Sequence, residues 1–342
     1  MNIIFFAGAG MAKPLGLPTV VDFNEMINKT LDERELNFIN NIKKYISYKK
    51  LNSNDIEYIF SSIAKFLGEN AEVTVFLLNT LTSIDFIGNI NNFIKLARSS
   101  NEKLKKIFYE SLTNFDINKA KKLYVSIFKG IKQSFNTSNI SFITTNYDST
   151  FDEVVKRFKS DLVSIGFNDI DTLFKPYENI AITYQPSDND FPSQSIEYIK
   201  LHGSIDWFKD NDNITFKIFA PIKPAYTDKS VLIYPGFKGF PDEEPFKSLH
   251  ERFKNRLSKA NIMIAVGFAF RDEAINNIIE PFLKKGLKIY HINPTPPDRY
   301  PPESKTPYFL KNYPDNFFHI QKSVSPENLE DLLKNVSHLH QR

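Results

Sequence analysis

Five apolar runs of four to six residues, each cut off by glycine or a short polar motif, leave this chain few architectures. Asn2–Ala7 ends on Gly8-Ala9-Gly10, and Ile140–Ile143 ends on Thr144-Thr145-Asn146-Tyr147-Asp148. Ile196–Leu201 ends on His202-Gly203, Asn261–Val266 on Gly267-Phe268-Ala269-Phe270, and Leu287–Ile292 on Asn293. Runs so short and so apolar read as strands buried on both faces, which calls for a mostly parallel sheet with helices on either side. The expected fold is α/β and Rossmann-like. Ligands of such sheets bind at the carboxyl ends of the strands, so the five motifs are expected to gather along one edge.

Between the first two runs the pattern changes. From about Asp22 to Phe135 the apolar residues recur at helical spacing, as in Ile56, Ile59, Phe60, Ile63, Phe66 and Leu67, or Phe86, Ile87, Ile90, Phe93 and Ile94. A crossover between parallel strands requires only about a dozen residues, so this stretch reads as an inserted helical subdomain. The expected division is a Rossmann-like domain of residues 1–21 plus 136–342, and an insert of 22–135. Residues 160–240 carry short apolar pieces, Gly, Pro and a polar loop at Gln185–Gln194, with no clear period.

Further on, Phe246, Leu249, Phe253 and Leu257 line one face of a helix. Asp272 reads as the N-cap of a helix bearing Ala274, Ile275, Ile278, Ile279 and Phe282, kinked at Pro281, with contact to a ligand as the rival role. Six prolines in 294–307 predict an extended surface loop, Phe317–Ile320 a last strand, and Ser325-Pro326 the start of a C-terminal helix.

The absence of cysteine excludes disulfides, thiolate zinc sites and a cysteine nucleophile, and suits a reducing cytosol. Met1–Ala9 has no basic leader and runs straight into a glycine turn, so it reads as a strand and not a signal peptide. No apolar stretch approaches the ~20 residues of a membrane span. A cytoplasmic protein without membrane association is expected. The net charge of +3, without a dense Lys/Arg block, gives no reason to expect direct nucleic-acid binding. The spacing of His250, His291, His319, His338 and His340 matches no metal-ligand pattern, and no metal is expected.

Gly8-Ala9-Gly10 after a strand would let backbone N–H groups approach a pyrophosphate, although a tight strand-to-helix turn explains it equally well. It departs from the dinucleotide fingerprint, because Lys13 stands at the third glycine position and no acid-ended strand follows, which argues against a hydride-transferring dehydrogenase. In order and rough spacing, however, Gly8-Ala9-Gly10, Gly16-Leu17-Pro18, Thr145-Asn146-Tyr147-Asp148, His202-Gly203, Gly267 and Ile292-Asn293 resemble the sirtuin (Sir2) family. The resemblance covers the sheet domain but neither the helical insert nor the C-terminal end. The departures are informative: the four-cysteine zinc module is missing, Ala12 stands for a serine, Val20 and Val21 for a Phe-Arg pair, and Tyr234-Pro235-Gly236-Phe237 for the Phe-Gly-Glu segment of the acyl-lysine groove. What remains looks like the SIR2-like NAD-hydrolysing effectors of bacterial anti-phage defence, which share the TTNYD spelling and a helical insert.

That resemblance implies an NAD+ glycohydrolase releasing nicotinamide and ADP-ribose, or cyclic ADP-ribose, and depleting NAD when triggered. Nicotinamide leaves a cationic donor as a neutral base, so the site must supply ribose positioning, cation stabilisation and a deprotonated water or hydroxyl. His202 is the implied base, since histidine ordinarily titrates near neutrality, and Asn146 the residue that holds ribose or water. Asp148 is implied for the nicotinamide carboxamide, with a helix cap as the rival. Gly8, Ala9 and Gly10 are implied for the pyrophosphate, Thr19 for the loop closing over ribose, and Gly267 and Asn293 for the adenosine half. Phe268, Phe270 and Trp207 read as packing residues. Relatives imply a homo-oligomer and a protein partner that triggers or restrains activity, either a DNA-translocating ATPase or an Argonaute-like protein. The competing readings are a divergent sirtuin that deacylates or ADP-ribosylates protein, and an inactive scaffold that senses NAD or ADP-ribose.

Overall fold

A computed structural model describes residues 1–18, 20–49, 53–67, 90–137, 139–158, 162–163, 182–184, 196–209, 215–217, 230–233 and 243–341. The strands are β1 (Asn2–Ala7), β2 (Asn139–Thr144), β3 (Leu162–Val163), β4 (Ile182–Tyr184), β5 (Ile196–Lys200), β6 (Gly203–Lys209), β7 (Thr215–Lys217), β8 (Ser230–Leu232), β9 (Ile262–Val266), β10 (Lys288–Ile292) and β11 (Phe317–Ile320). Eight of them form one sheet in the order β11-β10-β9-β1-β2-β5-β4-β3. The six strands from β11 to β5 are parallel, and β4 and β3 extend the sheet antiparallel. The parallel Rossmann-like fold expected from the five apolar runs is the fold observed. A separate three-stranded antiparallel sheet, β7-β6-β8, occupies part of the stretch with no clear period.

Strand alternation sends successive side chains to opposite faces, and here both faces are covered. On one face Ile3, Phe5, Phe142, Tyr198, Ile264 and Tyr290 pack with helices α6 (Ile117–Phe135), α7 (Thr150–Phe158) and α11 (Leu329–Gln341). Phe142 is the aromatic centre of this layer, with the rings of Phe151 at 5.0 Å and Tyr198 at 5.2 Å. The opposite face takes Phe6, which meets Phe253 of α8 (Phe246–Leu257) at 5.6 Å and Phe268 at 4.8 Å. Glu197 of β5 is nearly buried beneath α8, held by Arg252 at 2.5 Å, by Arg256 and by Ser141 at 3.1 Å.

The chain divides into two compact units: Met1–Leu17, Thr113–Leu232 and Gly239–Arg342, and Pro18–Leu112 with Ile233–Lys238. The segment read as helical over 22–135 thus contributes to both, since α6 lies in the sheet unit. The second unit holds α2 (Val20–Thr30), α3 (Glu33–Tyr48), α4 (Ile56–Leu67) and α5 (Ile90–Thr113). Its core gathers on Phe108, whose ring meets Phe23 at 5.4 Å and Phe60 at 5.5 Å. A capping box of Asp32 and Glu35 opens α3, and the same Glu35 pairs with Lys103 at 2.7 Å.

Two local expectations need correction. The proline-rich 294–307 segment is not extended throughout: it contains a 3₁₀ turn at Pro297–Arg299 and leads into helix α10 (Thr306–Asn312), where Pro307 takes an early position that needs no N–H donor. The last helix starts at Leu329 and not at Pro326, because Ser325 and Asn328 close a turn through the Asn328 side chain (2.9 Å). The Gln185–Gln194 loop and Tyr234-Pro235-Gly236-Phe237 lie outside the described residues, as does Phe86-Ile87.

Candidate functional site

The carboxyl ends of β1, β2, β5, β9 and β10 bring the polar motifs to one edge. Strands β2 and β5 were added on one side of β1, and β9 to β11 on the other, so the order reverses between β1 and β9. Crevices at such reversals are the usual ligand sites of open α/β sheets.

At the reversal the turns after β1 and β9 meet backbone to backbone. Gly8 N–H donates to Val266 (2.9 Å) and Gly10 N–H to Gly267 (2.9 Å). Gly267 sits at φ +62°, and a side chain there would run into Met11 N and Gly10. A Cβ on Gly8 would lie 2.6 Å from the Phe268 Cα. These glycines are therefore required by close approach of two chains. Gly8 caps a one-turn helix, α1 (Ala9–Ala12), where Ala9 and Gly10 are exposed.

Asn146 is partly exposed just past the end of β2. Its side-chain Nδ2 donates to the Gly8 carbonyl (3.2 Å), and its backbone N–H to Thr144 Oγ1 (3.0 Å), which in turn donates to the Ala7 carbonyl (2.9 Å). This relay ties Asn146 to the β1 turn. Asp148 is buried and turned toward α7: its Oδ1 accepts from the backbone N–H (3.1 Å) and hydroxyl (2.5 Å) of Thr150. The Asp148 carbonyl accepts from the buried Lys200 ammonium, a contact across β2 and β5 that sequence reading did not foresee.

His202 follows β5 and is 3% exposed, with the Tyr147 ring 6.0 Å from its own. Gly203 behind it takes φ +81°, and a side chain there would strike the Val231 carbonyl, so both the backbone and the space call for glycine. His202 Nε2 lies 2.8 Å from Asp272 Oδ2. Asp272 does cap its helix, α9 (Glu273–Lys284), accepting the Ile275 N–H on Oδ1 at 3.0 Å, but the second oxygen belongs to His202. Burial pushes the Asp272 carboxyl up, yet the hydrogen bond and charge of His202 and the Ile275 N–H together hold it below the usual carboxylate value. His250 of α8 stands nearby as a neutral ring: burial brings it to about 4, while its Nδ1 donates to the Phe246 carbonyl (2.8 Å).

Asn293 ends β10 with its Oδ1 accepting the Thr295 N–H (3.0 Å), a strand-end turn. Thr19 lies outside the described residues. Phe268, Phe270 and Trp207 are buried packing residues, as read. Parallel pairing brings His291 and His319 side by side (Nδ1–Nδ1 3.2 Å), a proximity hidden by a separation of 28 residues. Among the described residues no group of three or more His, Cys, Asp or Glu is placed to hold a metal, and no helix is long and apolar enough to cross a membrane.

A family model described as a SIR2-like domain matches residues 140–314, just over half of the chain. Among curated proteins none matches. Several solved structures are similar at low identity. A Sir2 homologue in complex with NAD is 13% identical over 99% of this chain and 89% of its own, with a TM-score of 0.47. A Sir2 homologue mutant with 2′-O-acetyl ADP-ribose is 13% identical over 100% and 94%, with a TM-score of 0.48. Sir2 bound to an acetylated peptide is 11% identical over 99% and 93%, with a TM-score of 0.44. The matched segment runs from β2 through α10 and so takes in Asn146, His202, Gly267, Asp272 and Asn293: the chain belongs to the SIR2-like family.

Proposed function

We propose that this chain is an NAD+ glycohydrolase that cleaves the nicotinamide–ribose bond, giving nicotinamide and ADP-ribose or its cyclic form. The observation that carries the reading is the placement of Asn146 and His202 at adjacent strand ends, with His202 backed by a carboxylate. In this reading the C1′–N bond breaks with its electron pair leaving on nicotinamide. His202 takes the proton of the attacking water or ribose hydroxyl, and Asn146 holds that oxygen in place.

Gly8, Ala9 and Gly10 line the pyrophosphate, with the backbone N–H of exposed Ala9 turned to it while those of Gly8 and Gly10 donate to Val266 and Gly267, and Gly267 serves the adenosine half by keeping that turn close. Asp148 addresses the carboxamide through Oδ2, since Oδ1 serves Thr150. Asn293 offers Nδ2 to the adenosine ribose. NAD is substrate here, and no metal takes part. The absence of cysteine removes the zinc module of protein deacylases, which supports hydrolysis over lysine deacylation. By the same resemblance, the activity serves anti-phage defence in the cytoplasm, in a homo-oligomer held silent until a partner protein releases it.

The test is chromatographic: NAD+ with the wild type, Asn146→Ala and His202→Ala, following nicotinamide and ADP-ribose. Release by the wild type alone supports the reading. Equal release from all three overturns the site, turnover that depends on acyl-lysine peptide favours a deacylase, and NAD+ binding without turnover favours a sensing scaffold.

A further inference from the structure

We infer that Asp272 is the positioning residue of the His202 base, so that the two act as a carboxylate–imidazole dyad built across the sheet. The inference deepens the glycohydrolase reading and rests on it for its catalytic meaning. His202 follows β5 and Asp272 follows β9, with β1 and β2 between those strands, so the pair meets only because both loops lean inward.

The geometry assigns the protons. A carboxylate can only accept, so Nε2 of His202 must carry the hydrogen that it shares with Asp272 Oδ2 at 2.8 Å. Nδ1 is thereby left as the basic nitrogen. When a water or hydroxyl O–H breaks, its proton goes to Nδ1, and the imidazolium that forms keeps its Nε2–H against the Asp272 carboxylate. Both side chains are largely withdrawn from water, 4% and 11% exposed, where an ion pair is screened little.

The loop that carries Asp272 is held far more tightly than a cap alone requires. Three successive carbonyls are each gripped: Phe268 by His291 Nε2 (2.7 Å), Ala269 by Ser304 Oγ (2.5 Å), and Phe270 by both Asn276 Nδ2 (2.8 Å) and the Lys305 N–H (2.8 Å). Phe270 itself takes φ +49°, a left-handed conformation that a side-chain-bearing residue rarely adopts. Its ring is boxed by His291 (5.1 Å), Phe317 (5.3 Å) and Phe309 (5.6 Å), which fixes the bend two residues before Asp272. A strained, over-determined turn that aims one carboxylate is the arrangement expected of a functional site.

Asp272→Asn separates the roles. Asparagine is as good an N-cap as aspartate, so the helix start is kept. The amide turns an N–H toward Nε2, driving the ring proton to Nδ1 and removing the base. The expected results are a kcat for NAD+ cleavage lower by about 10²–10⁴-fold with KM within threefold, and ¹⁵N spectra that place the His202 proton on Nε2 in the wild type and on Nδ1 in the variant. A wild-type kcat in Asp272→Asn, or an Nδ1–H tautomer in the wild type, overturns the dyad. The tautomer is read without NAD+, so a wild type that never cleaves NAD+ fails the glycohydrolase reading while the spectra still decide the pairing.

Discussion

The amide of Gly10 donates to the carbonyl of Gly267 across 2.9 Å, joining the turns after β1 and β9 without an intervening side chain. Gly267→Ala would put a methyl group onto Gly10, 2.5 Å from its carbonyl carbon, at a φ of +62°. The left-handed penalty and the overpacking together predict a loss of about 2–4 kcal/mol in denaturant unfolding, and a weakened site. Gly16→Ala is the control: φ is +88° but nothing lies within 4 Å, so only about 1 kcal/mol is expected.

Thr144→Val removes the hydroxyl that links the Asn146 N–H to the Ala7 carbonyl. Stability should fall by about 1–3 kcal/mol, since a buried polar group loses its partner. Nicotinamide release should fall by about 100-fold, because Asn146 is displaced while its side chain is intact. Wild-type turnover from a folded Thr144→Val protein would contradict the placement of Asn146.

Glu197→Gln tests the strut between β5 and α8. Burial raises this carboxyl, but Arg256 and Arg252 outweigh it and hold it below its usual value. The substitution leaves two guanidinium groups facing one amide, and about 2 kcal/mol of stability should be lost, less than for a fully buried pair because Arg252 and Arg256 reach solvent. Urea unfolding at pH 7 measures it. At pH 4 and below the difference should shrink, since a carboxylate with a lowered folded-state value stabilises above its unfolded value and stops doing so as pH falls.

The buried histidines act in the same direction through the same linkage. Burial brings His250 to about 4 and, with the charge of His319, His291 to about 3. Each ring is neutral in the folded protein and binds a proton near pH 6.5 when unfolded, so stability is complete above that value and declines as pH falls toward 4. The slope contributed by each is up to about 1.4 kcal/mol per pH unit. Thermal melts between pH 7.5 and 4.5 should show the decline, and His250→Gln should flatten it. An unchanged midpoint over that range would refute the buried neutral state.

Much of the sheet was legible because burial on both faces leaves a plain signature. Asn2–Ala7 and Phe317–Ile320 are strands to the residue, and the polar ends named as a site do share one edge. The smaller sheet was not legible: its strands of three to seven residues pair antiparallel, with no apolar run long enough to separate from loop. Proline density concealed α10, although Pro307 is itself a helix-start residue. Asp272 was read as a cap, and it is one; its second oxygen was invisible because a cap already explains an aspartate before an apolar helix. The clue available in sequence was positional, since an acid just past the end of β9 stands on the same edge as a histidine just past β5.

Pairing His202 with Asp272 across two intervening strands ties the chemistry to the order in which the chain is made. His202 precedes Asp272 in the chain by the whole stretch from β6 to β9, and the two pair only where β9 lies on the far side of β1. A nascent or truncated chain has the base without its partner. For the proposed reaction a complete sheet is thus the condition for a complete dyad: a fragment short of β9 and its turn lacks the carboxylate.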